Sequence, residues 1–365
     1  MKRDMMTEQY VEDAVALLRQ LIAVPSVSRD EKGAADVMQR AMQDYGFKPF
    51  REGNNLWIKS EDWDDGRPTL LLNAHIDTVK PVATWVRDPF TPVIEGDRLY
   101  GLGSNDCGGG LVSLLQVFRM LADPSRKDRQ PPTSNLQPSF NFIYLASCEE
   151  EVSGAGGIRS VLPLLPGIDV AIVGEPTGMQ PAIAERGLMV IDGVARGKSG
   201  HAARNEGVNA IYEALDDLVF IRDYRFEKVS PLLGPTKMQC TVVNSGTQHN
   251  VVPDECRFII DVRTNEHYTN EEVFAFLQGR MKSSLQARSF HLHSSSIPAD
   301  HPLVRRCVAM GMQPFGSPTL SDQALMRFPS FKLGPGESSR SHSADEFICV
   351  SEIRNAIETY IRLLG

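Results

Sequence analysis

The sequence predicts an α/β fold: a mostly parallel sheet covered by helices on both faces, interrupted by a ferredoxin-like α+β insertion. Three observations carry this. Apolar runs of strand length alternate with helical stretches between residues 56 and 175, the pattern of a parallel sheet with crossover helices. Residues 188–293 then read β-α-β-β-α-β, the ferredoxin-like order. The tail returns to helix, strand, helix, so the middle unit interrupts one larger domain. The expected domains are residues 1–180 with 294–365, and residues 181–293 as the insertion. A chain of 365 residues exceeds the size at which one core stops growing.

Taken in order, Thr7 opens a helical pattern with Val11, Ala14, Val15, Leu18, Leu21 and Ile22 on one face, and Pro25 stops it. Ser28 and Glu31 are placed as a capping box for a second helix running to Gly46. Leu56–Ile58 and Thr69–Asn73 read as strands about an Asp64-Asp65-Gly66 turn. A loop with Trp85, Asp88-Pro89-Phe90 and Gly96-Asp97 follows, then a glycine-rich turn from Tyr100 to Gly110 and a helix over Leu111–Leu121. Asp123–Pro138 is polar and proline-rich, as in a surface loop. Strands ending at Leu145 and Val173 flank a short helix over Gly156–Leu165. In the insertion, strands are expected at Leu188–Ala195, Met238–Val243, Cys256–Val262 and Phe290–His293, with helices at Asn209–Ile221 and Glu271–Leu285. The tail supplies helices at His301–Gly311 and Ser351–Leu364 around a short strand at Phe331–Leu333.

Composition excludes several classes. The net charge of −8, with no basic run, argues against a nucleic-acid partner. No apolar stretch is long enough for a membrane span, and the N-terminus lacks a signal-peptide core. The six cysteines are scattered without a Cys-x-x-Cys, which suits reduced thiols in a cytoplasmic protein. A Cys240–Cys256 pair facing across a hairpin is the less favoured alternative.

The chemistry concentrates where apolar strands end in acidic or imidazole groups: His75-Ile-Asp77, Asp106, Glu149-Glu150-Glu151 and Glu175. Buried strands ending in carboxylates are costly unless a cation waits there. Carboxylates with imidazoles, and no cysteine at ligand spacing, suit zinc, cobalt or manganese. Each residue also has a plain structural reading: Asp106 as a helix N-cap, the glutamates as a solvated run, Glu175 as a rim carboxylate. Five such groups on one sheet edge favour a metal site. A dinucleotide reading of the glycine turn is weak, because Asp106 stands where the third glycine of G-x-G-x-x-G would fall. Close approach of the backbone to a metal-bound substrate is the use expected for these glycines.

The motifs His75-Ile-Asp77, Gly101-Leu-Gly-Ser-Asn-Asp106, Glu149-Glu-Glu-Val152, Gly174-Glu-Pro-Thr177, Gly200-His201-Ala and Ser341-His342-Ser-Ala-Asp345-Glu346 resemble, in this order, a known family. It comprises the dinuclear-zinc aminoacylases and carboxypeptidases that include acetylornithine deacetylase and succinyl-diaminopimelate desuccinylase. The resemblance spans essentially the whole chain and points to the acetylornithine deacetylase branch. It implies an αβα sandwich catalytic domain with the insertion as lid and dimerisation domain. It also implies two divalent metal ions, zinc first and cobalt or manganese next. Asp106 would bridge both metals, with Glu151 and His342 completing one site and His75 and Glu175 the other. Glu150 would be the general base, Asp77 the orienter of His75, and His201 an oxyanion donor reaching the partner subunit of a homodimer. Asn250 and Arg263 match substrate positions, Arg263 as a clamp for a carboxylate. The implied activity is removal of an acetyl or succinyl group from a small amino acid, N-acyl-ornithine or N-acyl-citrulline in arginine biosynthesis. The alternatives are a dipeptidase or carboxypeptidase, or a relative that binds metal without catalysis. Two departures from the pattern are the absence of proline after His201, where Ala202-Ala-Arg204 stands, and Cys107 where methionine is usual. Arg204, Arg263 and Arg340 each offer a guanidinium to an extra carboxylate, a hint of succinyl.

Overall fold

The computed structural model describes residues 2–122, 140–204 and 206–365, so the Asp123–Pro138 loop expectation lies outside the described residues. The chain divides into two compact units, one of residues 1–183, 297–315 and 321–365, the other of residues 184–296 and 316–320.

In the first unit three parallel neighbours form the sheet's centre. Thr69–His75 lies between Asn141–Ser147 and Val170–Val173, and Ser330–Lys332 extends the parallel set beside Val170–Val173. Asn55–Lys59 and Phe50–Glu52 continue one side antiparallel. These central strands are apolar on both faces, so alternate residues enter different cores. Leu70, Leu72, Ala74, Phe142, Tyr144 and Ile172 pack under the helices Lys2–Ile22, Lys32–Asp44, Gly109–Ala122 and Val350–Leu364. Leu71, Ile143, Leu145, Ala171 and Val173 face Ile158, Val161 and Met326 instead. Burial of each large side chain contributes about 1.5–3 kcal/mol, which sets the strand register firmly. The result is an α/β sandwich whose parallel strands all end at the edge carrying His75, Ser147 and Val173.

The second unit is a four-stranded antiparallel sheet in the order Lys237–Ser245, Glu255–Arg263, Met189–Arg196, Ser284–Ala287, with helices Ala210–Asp223 and Asn270–Arg280. This is the ferredoxin-like arrangement. Met189, Ile191, Phe258, Ile260, Val262, Val273 and Leu277 form its core. Gly193 leaves room for the Phe258 ring, which a Cβ there would meet at 2.2 Å.

Several expectations change. The last strand of this four-stranded sheet is Ser284–Ala287, not Phe290–His293, and the preceding helix ends at Arg280 rather than Leu285. The Asp217 carboxylate accepts the Lys282 and Ser283 N–H groups, which turns the chain out of the helix early. Phe290 is apolar because it packs edge-on against Phe274, while Asn270 Nδ2 donates to the Phe290 and Leu292 carbonyls. The loop after Asp77 contains a hairpin, Val93–Glu95 with Arg98–Tyr100, turned at Gly96 (φ 62°) and paired onward to Phe347–Cys349. Cys240 pairs with Ile260 and Cys256 with Ser245, so the two cysteines do not face each other, and all six thiols are free. The Ser28/Glu31 capping box does not form: Glu31 makes no side-chain cap to the Lys32–Asp44 helix. Both residues serve the cluster described next.

Candidate metal centre

His75 closes its strand with a buried ring. Its Nδ1 lies 2.9 Å from the Asp77 carbonyl oxygen and 3.5 Å from the Asp77 carboxylate. A carbonyl only accepts, so Nδ1 carries the hydrogen and Nε2 is left to face the cluster. Nε2 stands 3.3 Å from Asp106 Oδ1, 3.7 Å from Glu175 Oε1 and 4.0 Å from Glu150 Oε2. On the far side, His342 Nε2 stands 3.0 Å from Glu151 Oε2 and 3.6 Å from Asp106 Oδ2. The two oxygens of Asp106 therefore point to different imidazoles.

Asp106 occupies extended backbone (φ −114°, ψ 100°) inside an irregular turn, so it is not a helix N-cap. The surrounding glycines let protein pack on protein. A Cβ at Gly108 would meet the Gly103 carbonyl oxygen at 2.4 Å, and one at Gly110 the Gly174 carbonyl oxygen at 1.7 Å. Gly110 thus lets the Gly109–Ala122 helix press against the strand end that delivers Glu175.

The three glutamates separate. Glu149 takes a left-handed conformation (φ 54°), and its carboxylate turns back to accept the Gly156 N–H at 3.2 Å. Glu150 and Glu151 face the cluster. The Asp77 carboxylate accepts both of their N–H groups, at 3.1 and 3.2 Å, and a hydrogen bond from Ser28 Oγ at 2.7 Å. Buried Glu31 accepts the Glu149 N–H at 3.3 Å, Asn54 Nδ2 at 3.1 Å and the Arg29 N–H. Ser28 and Glu31 were visible in the sequence only as a capping pattern. Asp322, which sequence reasoning missed, accepts from Ser147 Oγ at 2.6 Å just ahead of the glutamates. Only a lone Ser-Asp pair marks it.

The electrostatics call for cations. Burial, then the Asp106 charge, push the Glu175 carboxyl up to about 8. Burial pushes Glu150 well above the carboxylate range against the pull of His75. Burial raises Asp322 to about 6. The hydrogen bond to Glu151 raises His342 to about 9. Glu175 Oε1 is buried and makes no hydrogen bond. Four carboxylates and two imidazoles with an orphaned oxygen among them fit divalent metal ions, and the oxygen and nitrogen donors suit zinc, cobalt or manganese. Cys107 Sγ also lies within 4.8 Å of His75 and Glu175 donor atoms. The thiol accepts the His75 backbone N–H at 3.2 Å and donates to the His75 carbonyl at 3.5 Å; it is buried and held protonated by that burial.

Of the remaining predicted residues, His201, Arg204, Asn250 and Arg263 belong to the second unit and Arg340 to the first. His201 is exposed in a two-residue strand paired with Val251–Val252, and its Nδ1 accepts the Ala203 N–H at 3.1 Å. The Asn250 carbonyl accepts the Ala202 N–H at 3.0 Å, so His201 and Asn250 are neighbours. Arg263 makes a two-pronged pair with Asp261 at 2.8 and 3.0 Å on its own strand. Arg340 does the same with Glu352 at 2.7 and 3.0 Å. Both forks are already engaged, which weakens the hint of a carboxylate clamp; Arg204 is exposed.

The model of peptidase family M20/M25/M40 matches residues 71–365. The chain belongs to this family. Acetylornithine deacetylase of Proteus mirabilis is 27% identical to it, covering 96% of this chain and 95% of that one. Succinyl-diaminopimelate desuccinylase of Anaplasma marginale is 25% identical over 97% of each. Among solved structures, an aminopeptidase of Bacillus cereus superposes with a TM-score of 0.74 at 19% identity, covering 97% and 98%. A dinuclear metal binding peptidase of Bacillus subtilis gives 0.68 at 16%, covering 98% of each chain. Family membership makes this chain a metal-dependent amide hydrolase. Among the described residues, no helix is long and apolar enough to cross a membrane.

Proposed function

We propose that the protein removes an N-acyl group, acetyl or succinyl, from a small amino acid, with N-acyl-ornithine or N-acyl-citrulline of arginine biosynthesis as substrate. The observation that carries this is the two-imidazole, four-carboxylate cluster centred on Asp106, in a chain that aligns nearly end to end with a deacetylase and a desuccinylase. When bound, two divalent ions supply Lewis acidity and a water acidified towards neutrality. His75 and Glu175 would hold one, Glu151 and His342 the other, and Asp106 both. Glu150 takes the proton of the attacking water and returns it to the leaving amine. Asp77 keeps His75 in the tautomer that presents Nε2. The likeness to solved peptidases supports a dipeptidase or carboxypeptidase as the second reading, with the same chemistry and a different pocket. Assaying N-acetyl and N-succinyl forms of ornithine and citrulline beside dipeptides separates them. Turnover confined to the dipeptides would end the deacylase reading.

The protein is assigned to the cytoplasm, in keeping with six free thiols, and to a homodimer formed through the second unit. In support, Ile211, Tyr212, Leu215 and Val219 make an exposed apolar stripe on the Ala210–Asp223 helix. In the same unit, Lys237–Ser245 is an open sheet edge with Val242 and Val243 exposed. His201 from one copy then donates to the oxyanion in the other. The His201→Ala change is expected to lower turnover about 10²–10³-fold, the usual effect of losing one oxyanion donor. Mixing Glu150→Gln and His201→Ala dimers should restore activity, since each hybrid holds one complete site. A mixture that stays inactive after subunit exchange argues against donation across the dimer.

A further inference from the structure

Two metal-facing groups, Asp106 and His342, come from segments far apart in the chain, and each rests on irregular backbone. His342 and its neighbour Asp345 are non-glycine residues in the left-handed region (φ 58° and 51°). Such backbone persists only where its surroundings over-determine it. The structure supplies one side chain that ties the two segments together. Glu346 is 2% exposed. Its Oε1 accepts the Asn105 N–H at 2.8 Å and the Asp106 N–H at 2.9 Å, and its Oε2 accepts the Gly103 N–H at 3.1 Å. Its own carbonyl accepts the Gly101 N–H at 3.0 Å. One residue therefore receives four backbone donors from the Gly101–Asp106 turn, while lying four positions after His342. Asn105 closes the same seam from the other side: its Nδ2 donates to the Glu337 carbonyl at 3.0 Å and its Oδ1 accepts the Glu337 N–H at 3.0 Å.

We propose that Glu346 is a positioning residue of the metal centre, a backbone clamp that fixes Asp106 and His342 relative to one another. This rests on the metal reading above. A buried carboxylate is costly unless hydrogen-bonded. Three amides of one turn offset that cost only while the turn keeps its present shape, so the carboxylate and the turn hold each other in place. Asp77 and Glu31 do the same for the segment carrying Glu150 and Glu151. Glu346 is the corresponding support for the opposite wall. It reaches no metal-facing atom itself, so its effect is on the geometry of the donors.

The test is zinc affinity, measured by competition with a chromogenic chelator on protein first stripped of metal. Wild-type protein must bind two ions; fewer would overturn the metal reading itself, independently of Glu346. Glu346→Gln keeps the shape but turns a donor toward an N–H. It is expected to weaken zinc binding about 10–100-fold, the usual effect of altering a group that supports metal ligands. Amide exchange at Gly103, Asn105 and Asp106 should accelerate in the same variant. A role confined to general stability would lower melting without moving affinity below the transition. Should Glu346→Gln not fold, Glu346→Asp, which keeps the charge and shortens the reach, carries the same expectation. Affinity within threefold of wild type in the variant that folds overturns the proposal.

Discussion

Glu150→Gln is expected to lower turnover by about 10²–10⁴-fold, the range assigned to a positioned general base, while metal content stays at the wild-type level. The neutral amide keeps the shape of the side chain and cannot accept the proton of water. The geometry supports this division of labour. Glu151 lies against His342 at 3.0 Å, whereas Glu150 approaches no imidazole closer than the 4.0 Å to His75 Nε2. Its backbone N–H is fixed by Asp77, which holds the residue toward the cluster, and burial raises its carboxyl well above the ordinary range. Glu149→Gln serves as the internal control. Its carboxylate is turned toward Gly154 and Gly156, where a Cβ on Gly154 would lie 1.8 Å from its Oε2, so little change in turnover is expected. Metal analysis decides the register. Loss of metal in Glu150→Ala with retention in Glu151→Ala would shift both roles by one residue.

The fold was legible where burial and period agree. Thr69–His75 and Asn141–Ser147 are buried at every position, and such continuous apolar runs name a parallel sheet directly. Phe290–His293 misled because alternating apolar residues also arise in a segment pinned by one ring contact and one asparagine. The short hairpin at Val93–Tyr100 escaped because three-residue strands carry no period. Of the residues that the structure gathers in the cluster, His75, Glu150, Glu151 and Glu175 stand out as polar groups closing apolar strands, and His342 only through the resemblance. Their supports do not stand out, because Glu31 and Glu346 act through backbone amides, and Asp322 through the Ser147 hydroxyl, of segments distant in sequence, and no local pattern records that. Ser28 and Glu31 show the hazard most clearly. The same spacing that would cap a helix here sends one side chain to Asp77 and the other to the Glu149 amide.

Stripped of metal, the protein is expected to lose thermal stability as pH rises from about 6 to about 8. The sign follows from the buried carboxyls. Asp322 is raised to about 6, Glu346 to about 7 and Glu175 to about 8, in each case chiefly by burial. A group whose pKa is higher in the folded than in the unfolded chain binds its proton more tightly when folded. Its stabilising contribution is complete below the unfolded value and is lost as pH rises through the folded one. His342, raised to about 9 by its hydrogen bond to Glu151, acts in the same direction at the upper end. Asp77 and Asp106 act oppositely: their hydrogen bonds to His75 overcome burial and lower their pKa values, so their contribution is lost only in acid. Divalent metal reverses the alkaline loss, because it takes the place of the protons on the carboxylates. The stabilisation gained on adding zinc should therefore grow from pH 6 to pH 8, with proton release on binding. Thermal melts of chelator-treated and zinc-reloaded protein across that range measure both effects. A metal-free protein that becomes more stable toward pH 8, or a zinc effect that shrinks, would mean that these carboxylates are not held as an anion-rich site awaiting a cation.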